Sequence, residues 1–286
     1  MIFREFYKIL LDKERMYNFL LQNAQITVPV HCNQLMSLRK TTDIDGNRFY
    51  CRRCKKQSSL IKNSIFSGLS ANISSVLEIL FHLSYKKGLK EISMATGYSV
   101  EKIKTVFDYS IHKIHGEVIA QTETIGHQDV VEIDETCLCG KRKYNTGRIN
   151  PQIWAMGGIE RISRRFFINI VPNRAARTLI PIIQRNVRDG ATIYTDCFRS
   201  YLSLNEIGYV HGTVNHSRNF VDPITGIHTN TVENLWKLVK RFKRMMFETR
   251  RDKIRETLSC FIWFSQNNEE RFIHLIRLFL PPNNEP

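Results

Sequence analysis

Acidic side chains are scarce in this sequence relative to basic ones: 27 Asp and Glu stand against 42 Lys and Arg, a formal charge of +15. That shortage argues against a basic partner and suits a polyanion, nucleic acid first. A membrane surface fits less well, because no long basic amphipathic helix dominates the chain. Long apolar runs are also missing. None approaches the roughly 18 uninterrupted apolar residues of a membrane helix, so no span is expected. The opening Met1-Ile-Phe-Arg-Glu-Phe-Tyr carries charges through its apolar stretch and offers no small-residue cleavage site, so an intracellular protein is expected. Internal repeats, heptads and low-complexity tracts are absent, which leaves a structural-protein role unsupported. Seven cysteines are an odd number, better suited to reduced thiols or metal ligands than to a disulfide framework. What is present is enough for a proper core: 42% hydrophobic and 10% aromatic residues in a chain of 286.

Three regions separate by pattern. Residues 1–66 begin with an apolar-charged helical stretch, then pass Pro29 into a turn-rich basic segment containing Cys32, Cys51 and Cys54. Cys51-Arg-Arg-Cys54 has the spacing that lets two thiolates reach one Zn²⁺. Around Val28–Cys32 only Cys32, and with it His31, could add a ligand. Either His31 stands in for a cysteine and a further ligand comes from elsewhere, or the segment has lost its metal. Residues 67–125 read as helical, with Val76, Ile79, Leu80 and Leu83 at helix spacing. A short helix lined by Ile92 and Ala95, a turn at Gly97, and a second helix capped by Ser99 with Val100, Ile103 and Phe107 on its apolar side match a helix-turn-helix. Lys102 and Lys104 on the second helix are the candidate DNA contacts.

Residues 126–286 alternate strands with helices. Strands are expected at 129–138, 153–159, 165–171, 192–196 and 209–214, and helices at 175–187, 199–207, 230–246 and 253–267. The order implies an α/β domain with a mixed sheet. Within it, Val131-Glu-Ile-Asp-Glu places Asp134 and Glu132 on one face of a strand and Val131 and Ile133 on the other. Asp196 ends a second short strand, and Glu233 sits on a helix. Two strand carboxylates and one helical carboxylate can converge on a pair of Mg²⁺ or Mn²⁺ ions, which take oxygen ligands and keep waters. Glu135 is a supporting candidate. A lone Asp at a strand end is more often a cap, and Glu233 with Lys237 is an ordinary i,i+4 pair; the joint pattern is what favours chemistry. Lys237–Arg255 holds nine basic residues against Glu248 and Asp252, and reads as the wall of a DNA channel, with Lys237 and Arg244 facing the nucleic acid. Cys137, Cys139, Cys197 and Cys260 read as free thiols.

The ordered set V-E-I-D-E-T at 131–136, W-A-M-G-G-I-E-R at 154–161, Y-T-D at 194–196, V-N-H at 214–216 and H-T-N-T-V-E-N-L-W-K-L-V-K at 228–240 resembles Merlin-type DDE transposases and their bacterial insertion-sequence relatives. The resemblance implies a ribonuclease-H-like catalytic domain, a mixed five-stranded sheet with flanking helices, preceded by a zinc-ribbon-like segment and the helix-turn-helix. It also implies that Asp134, Asp196 and Glu233 bind the metals. Lys240 falls on the family's basic residue two helical turns beyond Glu233, where it would steer a phosphate. His216 and His228 match polar motifs flanking the pocket, and a structural hydrogen-bonding role suits them as well as a catalytic one. The expected activity is cleavage and strand transfer of double-stranded DNA, at transposon ends and target, by a homodimer or larger assembly. Its compartment would be the nucleus in a eukaryote, otherwise the cytoplasm or nucleoid. The rival expectations are a domesticated, catalytically silent DNA-binding protein and a different two-metal nuclease.

Overall fold

Strand-forming, alternating residues between 131 and 214 build one sheet, and the helices before and after it are set by apolar spacing and caps. The computed structural model describes residues 2–23, 28–40, 47–59, 73–120, 123–139, 152–215, 221–247, 251–267 and 270–279. His216, the 140–151 segment and the last residues lie outside these. The chain packs as two units, Met1–Glu117 with Trp263–Pro286 and Val118–Ile262. The ribbon-like and helical segments that differ in sequence pattern therefore share one packing unit.

In the first unit, α1 (Phe3–Leu11) and α2 (Lys13–Asn23) are separated by Asp12, whose carboxylate accepts the free N–H groups of Glu14 and Arg15 and so caps α2. Two small sheets follow. One is the hairpin of β1 (Val30–His31) and β2 (Gln34–Leu35), and the other is built from β3 (Ser37–Lys40), β4 (Asn47–Tyr50) and β5 (Gln57–Ser59). α3 (Ile73–Ser84) is buried along nearly its whole length, including Glu78, which accepts hydrogen bonds from the hydroxyls of Tyr7 and Tyr98. α4 (Leu89–Thr96) ends at Gly97 with φ +72, and Ser99 Oγ accepts the Lys102 N–H at the start of α5 (Val100–Ile119). The left-handed turn uses the one residue type without a steric penalty there. Ile103 and Phe107 are buried as their spacing requires, whereas Val100 is 41% exposed because it sits in the first turn, beyond the packed stripe. The C-terminal helix α9 (Arg271–Phe279) completes this unit with Phe272, Leu275, Ile276 and Phe279 buried.

The second unit holds β6 (Val131–Cys139), β7 (Ile153–Glu160), β8 (Phe166–Val171), α6 (Ala176–Asn186), β9 (Thr192–Asp196), β10 (Val210–Val214), α7 (Asn230–Phe247) and most of α8 (Ile254–Gln266). Its sheet runs β10-β9-β6-β7-β8, with β10, β9 and β6 parallel and β7 and β8 antiparallel. This mixed five-stranded sheet with flanking helices fits the ribonuclease-H-like architecture that the motifs imply. Val131, Ile133, Met156 and Ile193 turn one face toward Leu179 and Ile183 of α6 in a continuous apolar core. Truncating Leu179 there to alanine would cost about 2–5 kcal/mol.

One expected helix is corrected. Over 199–207 the chain forms a single 3-10 turn, Arg199–Tyr201, followed by successive turns that end at Gly208 with φ +97. Tyr201 and Leu204 are both buried at a three-residue spacing that a tight turn serves, and Ser203 and Asn205 favour turns over helix.

Glu160 ends β7 as a buried carboxylate that accepts the Gly126 N–H at 2.6 Å, Arg165 Nε at 2.8 Å and the Ser163 hydroxyl. Burial pushes its pKa up, but the hydrogen bonds from Arg165, Ser163 and Gly126 outweigh that and hold it at about 2. A depressed folded pKa stabilises the fold above the ordinary carboxylate range and loses that stabilisation as pH falls through the folded value. Wild type should therefore lose stability between about pH 5 and pH 2 more steeply than Glu160→Gln. The difference should be on the order of 2 kcal/mol once solvent screening at half-exposed Arg165 is allowed for. Parallel slopes in urea unfolding across that range would contradict it.

Candidate functional site

The carboxylates meet where the sheet changes direction. From β6 the chain continues through β7 and β8 on one side, then crosses to β9 and β10 on the other, so β6 and β9 lie side by side at a topological switch point. Such points leave an open crevice beyond the strands' carboxyl ends. The parallel ladder pairs Val131 with Ile193 and Glu132 with Tyr194. Continued two residues, the same register sets Asp134 opposite Asp196, just past the last paired positions. Strand alternation turns Glu132, Asp134, Tyr194 and Asp196 away from the α6 core, onto the face that α7 covers.

α7 brings Glu233 in its first turn. It can approach the sheet closely because Gly157, the β7 partner of Asp134, has no side chain. A Cβ at Gly157 would lie 2.7 Å from the ring of Trp236. The indole Nε1 of Trp236 is buried without a well-formed hydrogen bond, and it lies near enough to Asp134 to favour the ionised carboxylate. Even so, burial raises the Asp134 pKa to about 6, and the negative charges of Asp196 and Glu233 add to the rise. A half-buried cluster of like charges of this kind is the electrostatic setting that a divalent cation relieves.

Glu135 turns the other way. Tyr201 donates its hydroxyl to Glu135, and Arg174 stands 3.9 Å from it. Burial, then Asp134 and Asp196, push Glu135 up to about 8 against the opposing charge of Arg174. The Arg174 guanidinium lies over the rings of Trp154 at 4.1 Å and Phe198 at 5.1 Å. Arg174, Phe198, Arg199, Ser200 and the start of α6 line a cavity of about 650 Å³.

The basic candidates divide by exposure. Lys237 and Arg244 are exposed and Lys240 is half-buried, on the stripe of α7 that begins with Glu233. Lys243, in the same run, is not a surface charge. It is buried and donates to the Leu138 carbonyl at 2.9 Å and the Cys139 sulfur at 3.0 Å, tying α7 to the end of β6. In the other unit, Lys102 covers the Tyr98 ring at 4.1 Å and Lys104 pairs with Asp108 at 2.9 Å. An exposed pair of that kind contributes little and gives way readily to a phosphate.

Also in that unit, the structure gathers His31, Cys32, Cys51 and Cys54, with their ligand atoms all within 4.8 Å of one another. Among the described residues this is the one such group. Asp134, Asp196 and Glu233 are spread more widely. The β1–β2 hairpin turns through Cys32 and Asn33, both left-handed with φ 52 and 60. A two-residue turn with both positions left-handed matches the strand twist, but it is strained for a cysteine. The His31 Nδ1 stands 3.2 Å from the Cys32 sulfur and 3.3 Å from that of Cys54. The Cys51 thiol is lowered to about 5, first by the Cys54 backbone N–H, with further help from His31 and Gln34. His31 thus supplies the fourth donor that the sequence left open. The donor set, one imidazole and three thiols, suits Zn²⁺.

Residue-pattern reasoning noted Glu132 only as sharing a face with Asp134. In the fold its side chain is fully buried and meets Arg161, His228, Thr231 and Val232. A charged residue inside an otherwise apolar strand run was the available signal. Its partners lie about 30 and 100 positions away and could not be read from spacing.

Comparisons with known proteins bear on the segment that carries these carboxylates. Residues 127–257 match the ISXO2-like transposase domain family. An uncharacterised transposase-like protein of Haemophilus influenzae is 39% identical over 72 residues, which is 25% of this chain. The match spans 57% of that relative's length. Among solved structures, a simian T-cell lymphotropic virus intasome in complex with the PP2A regulatory subunit B56 gamma aligns over 73% of this chain and 76% of its own. Its TM-score of 0.32 and 12% identity carry no argument about fold or function. The family match and the bacterial relative together support, for residues 127–257, a DDE transposase family with bacterial insertion-sequence relatives.

Proposed function

We propose that this protein is a DNA transposase whose Asp134, Asp196 and Glu233 hold two Mg²⁺ or Mn²⁺ ions for cleavage and joining of DNA strands. The observation that carries the reading is the in-register placement of Asp134 and Asp196 at the switch point, with α7 carrying Glu233 over them. The raised pKa of Asp134, from burial first and then from the charges of Asp196 and Glu233, supports a cation there. When bound, such ions supply activation of the attacking oxygen and stabilisation of the leaving one. The chain's own residues do the rest. The three carboxylates fix the ligand geometry, and Trp236 and the close α7–sheet contact restrict water around Asp134. Lys237, Lys240 and Arg244 hold phosphates along the helix. Hydrolysis of one phosphodiester would release a 3′-hydroxyl, and that oxygen would then attack a target phosphorus as the target's own 3′-oxygen leaves. Joining two ends calls for a dimer or larger assembly on DNA.

The His31–Cys32–Cys51–Cys54 cluster is read as a structural zinc site, and α4–α5 as the helix pair that reads terminal repeats. Lys102 and Lys104 would meet DNA once Lys104 exchanges Asp108 for phosphate. The test is cleavage of double-stranded DNA carrying the repeats that flank the gene. Cutting in Mg²⁺ or Mn²⁺ but not in chelator, with little on RNA–DNA hybrid or four-way junction, is expected. Preference for hybrid or junction would replace this reading with another two-metal nuclease. Tight binding with no cutting would replace it with a silent DNA-binding protein.

A further inference from the structure

We infer that Glu132 is the positioning residue of the carboxylate site, clasping the start of α7 onto β6 and thereby setting Glu233 against Asp134. The inference rests on the transposase reading of that site. The Glu132 side chain has no solvent exposure, and both oxygens are fully engaged. Oε1 accepts Arg161 Nε at 2.6 Å and the Thr231 hydroxyl at 3.0 Å, and faces His228 Nδ1 at 3.2 Å. Oε2 accepts the backbone N–H groups of Thr231 at 2.7 Å and Val232 at 3.1 Å.

A helix begins with N–H groups that have no partner within the helix, and with the positive end of its dipole. Usually a residue of the same chain segment caps them. Here the cap comes from a strand about 100 positions earlier, two residues from Asp134 on the same face. The last N–H it binds belongs to Val232, the residue directly before Glu233. Height and rotation of the first turn of α7 are therefore set by β6 itself.

Arg161 extends the clasp. Its second nitrogen donates to the His228 carbonyl at 2.7 Å, and its guanidinium lies 4.7 Å over the ring of Tyr194, the register partner of Glu132 on the Asp196 strand. One carboxylate and one guanidinium thus join all three segments that carry the proposed ligands. A pair needed only to fill the core would be satisfied by Arg161 alone. The other donors all come from residues 228–232, the approach to Glu233.

The experiment compares wild type with Glu132→Gln, which keeps the shape but presents an amide N–H₂ to donors. Amide hydrogen exchange at Thr231 and Val232 should speed up at least about tenfold in metal-free protein, and Mn²⁺ affinity by calorimetry should fall about 10- to 100-fold. DNA affinity should stay within about twofold, because the exposed basic stripe is untouched. Equal Mn²⁺ affinity in wild type and variant would overturn the inference while leaving the site intact. Absence of Mn²⁺ binding in wild type would instead sink the reading of the site. Should Glu132→Gln fail to fold, Thr231→Ala removes one donor and leaves the carboxylate. It should weaken Mn²⁺ a few-fold, and no change there would overturn the inference equally.

Discussion

Replacing Asp196 with alanine should leave a folded protein that binds DNA as tightly as wild type and cuts it on the order of a thousand-fold more slowly. That ratio is about 4 kcal/mol of barrier. Asp196 is half-buried at the end of β9, where its carboxylate accepts the Phe198 N–H at 3.0 Å. Its removal therefore takes little from packing. The strand is held instead by Ile193 in the core, by its pairing with β10, and by the Thr195 hydroxyl, which bonds the Asp196 carbonyl and His211. Relief of like charge should lower the Asp134 pKa, so the metal-free variant should be no less stable than wild type near neutral pH. The decisive comparison is single-turnover cleavage against filter-binding affinity in one buffer. A parallel loss of both would mean that Asp196 shapes the DNA surface and does not hold a metal. Retained cleavage would remove Asp196 from the site altogether.

The second large effect concerns zinc. Purified protein should carry one zinc per chain, and Cys51→Ala should carry none. Metal binding at a four-donor site of this type contributes on the order of 10 kcal/mol at neutral pH, more than small hairpins of two to four residues per strand supply by themselves. Strong chelation should therefore melt the ribbon, read as loss of protection at the Cys51 and Lys55 amides, which bond the Lys56 and Cys51 carbonyls. The strained left-handed Cys32 persists in the fold where a metal would hold it. Protein without zinc that keeps those amides protected would show that hydrogen bonds alone organise the segment.

Much of the catalytic-type unit was legible in the residues. Val131 to Asp134 alternates, so the shared face of Glu132 and Asp134 follows from period two. Asp196 and Glu233 stood out only through the ordered motifs, and that Asp196 comes opposite Asp134 is visible only once β9 is seen beside β6. What remained hidden is non-local. The role of Glu132 depends on donors at 161 and 228–232. His31 was a candidate from its place beside Cys32, but the hairpin turn that brings it to Cys51 and Cys54 is encoded by no spacing rule. Lys243 read as one more surface charge because the basic run has no period that singles it out, yet α7 turns it inward to Leu138 and Cys139. The turns after Arg199 are hard to tell from helix in sequence, because buried Tyr201 and Leu204 lie at a spacing that both structures use.

The order of strands in the sheet also bears on when, in a newly made chain, the carboxylates of β6, β9 and α7 come together. β6, β7 and β8 pair antiparallel with their sequence neighbours and can form as they leave the ribosome. The pairing of β6 with β9 spans about 60 residues, and α7 follows later still, so contacts of long sequence separation close the site last. A chain truncated before Thr231 would keep Asp134 and Asp196 but lack Glu233 and the Thr231 and Val232 donors to Glu132. Incomplete translation products would therefore be able to hold some of the fold while lacking one of the three carboxylates.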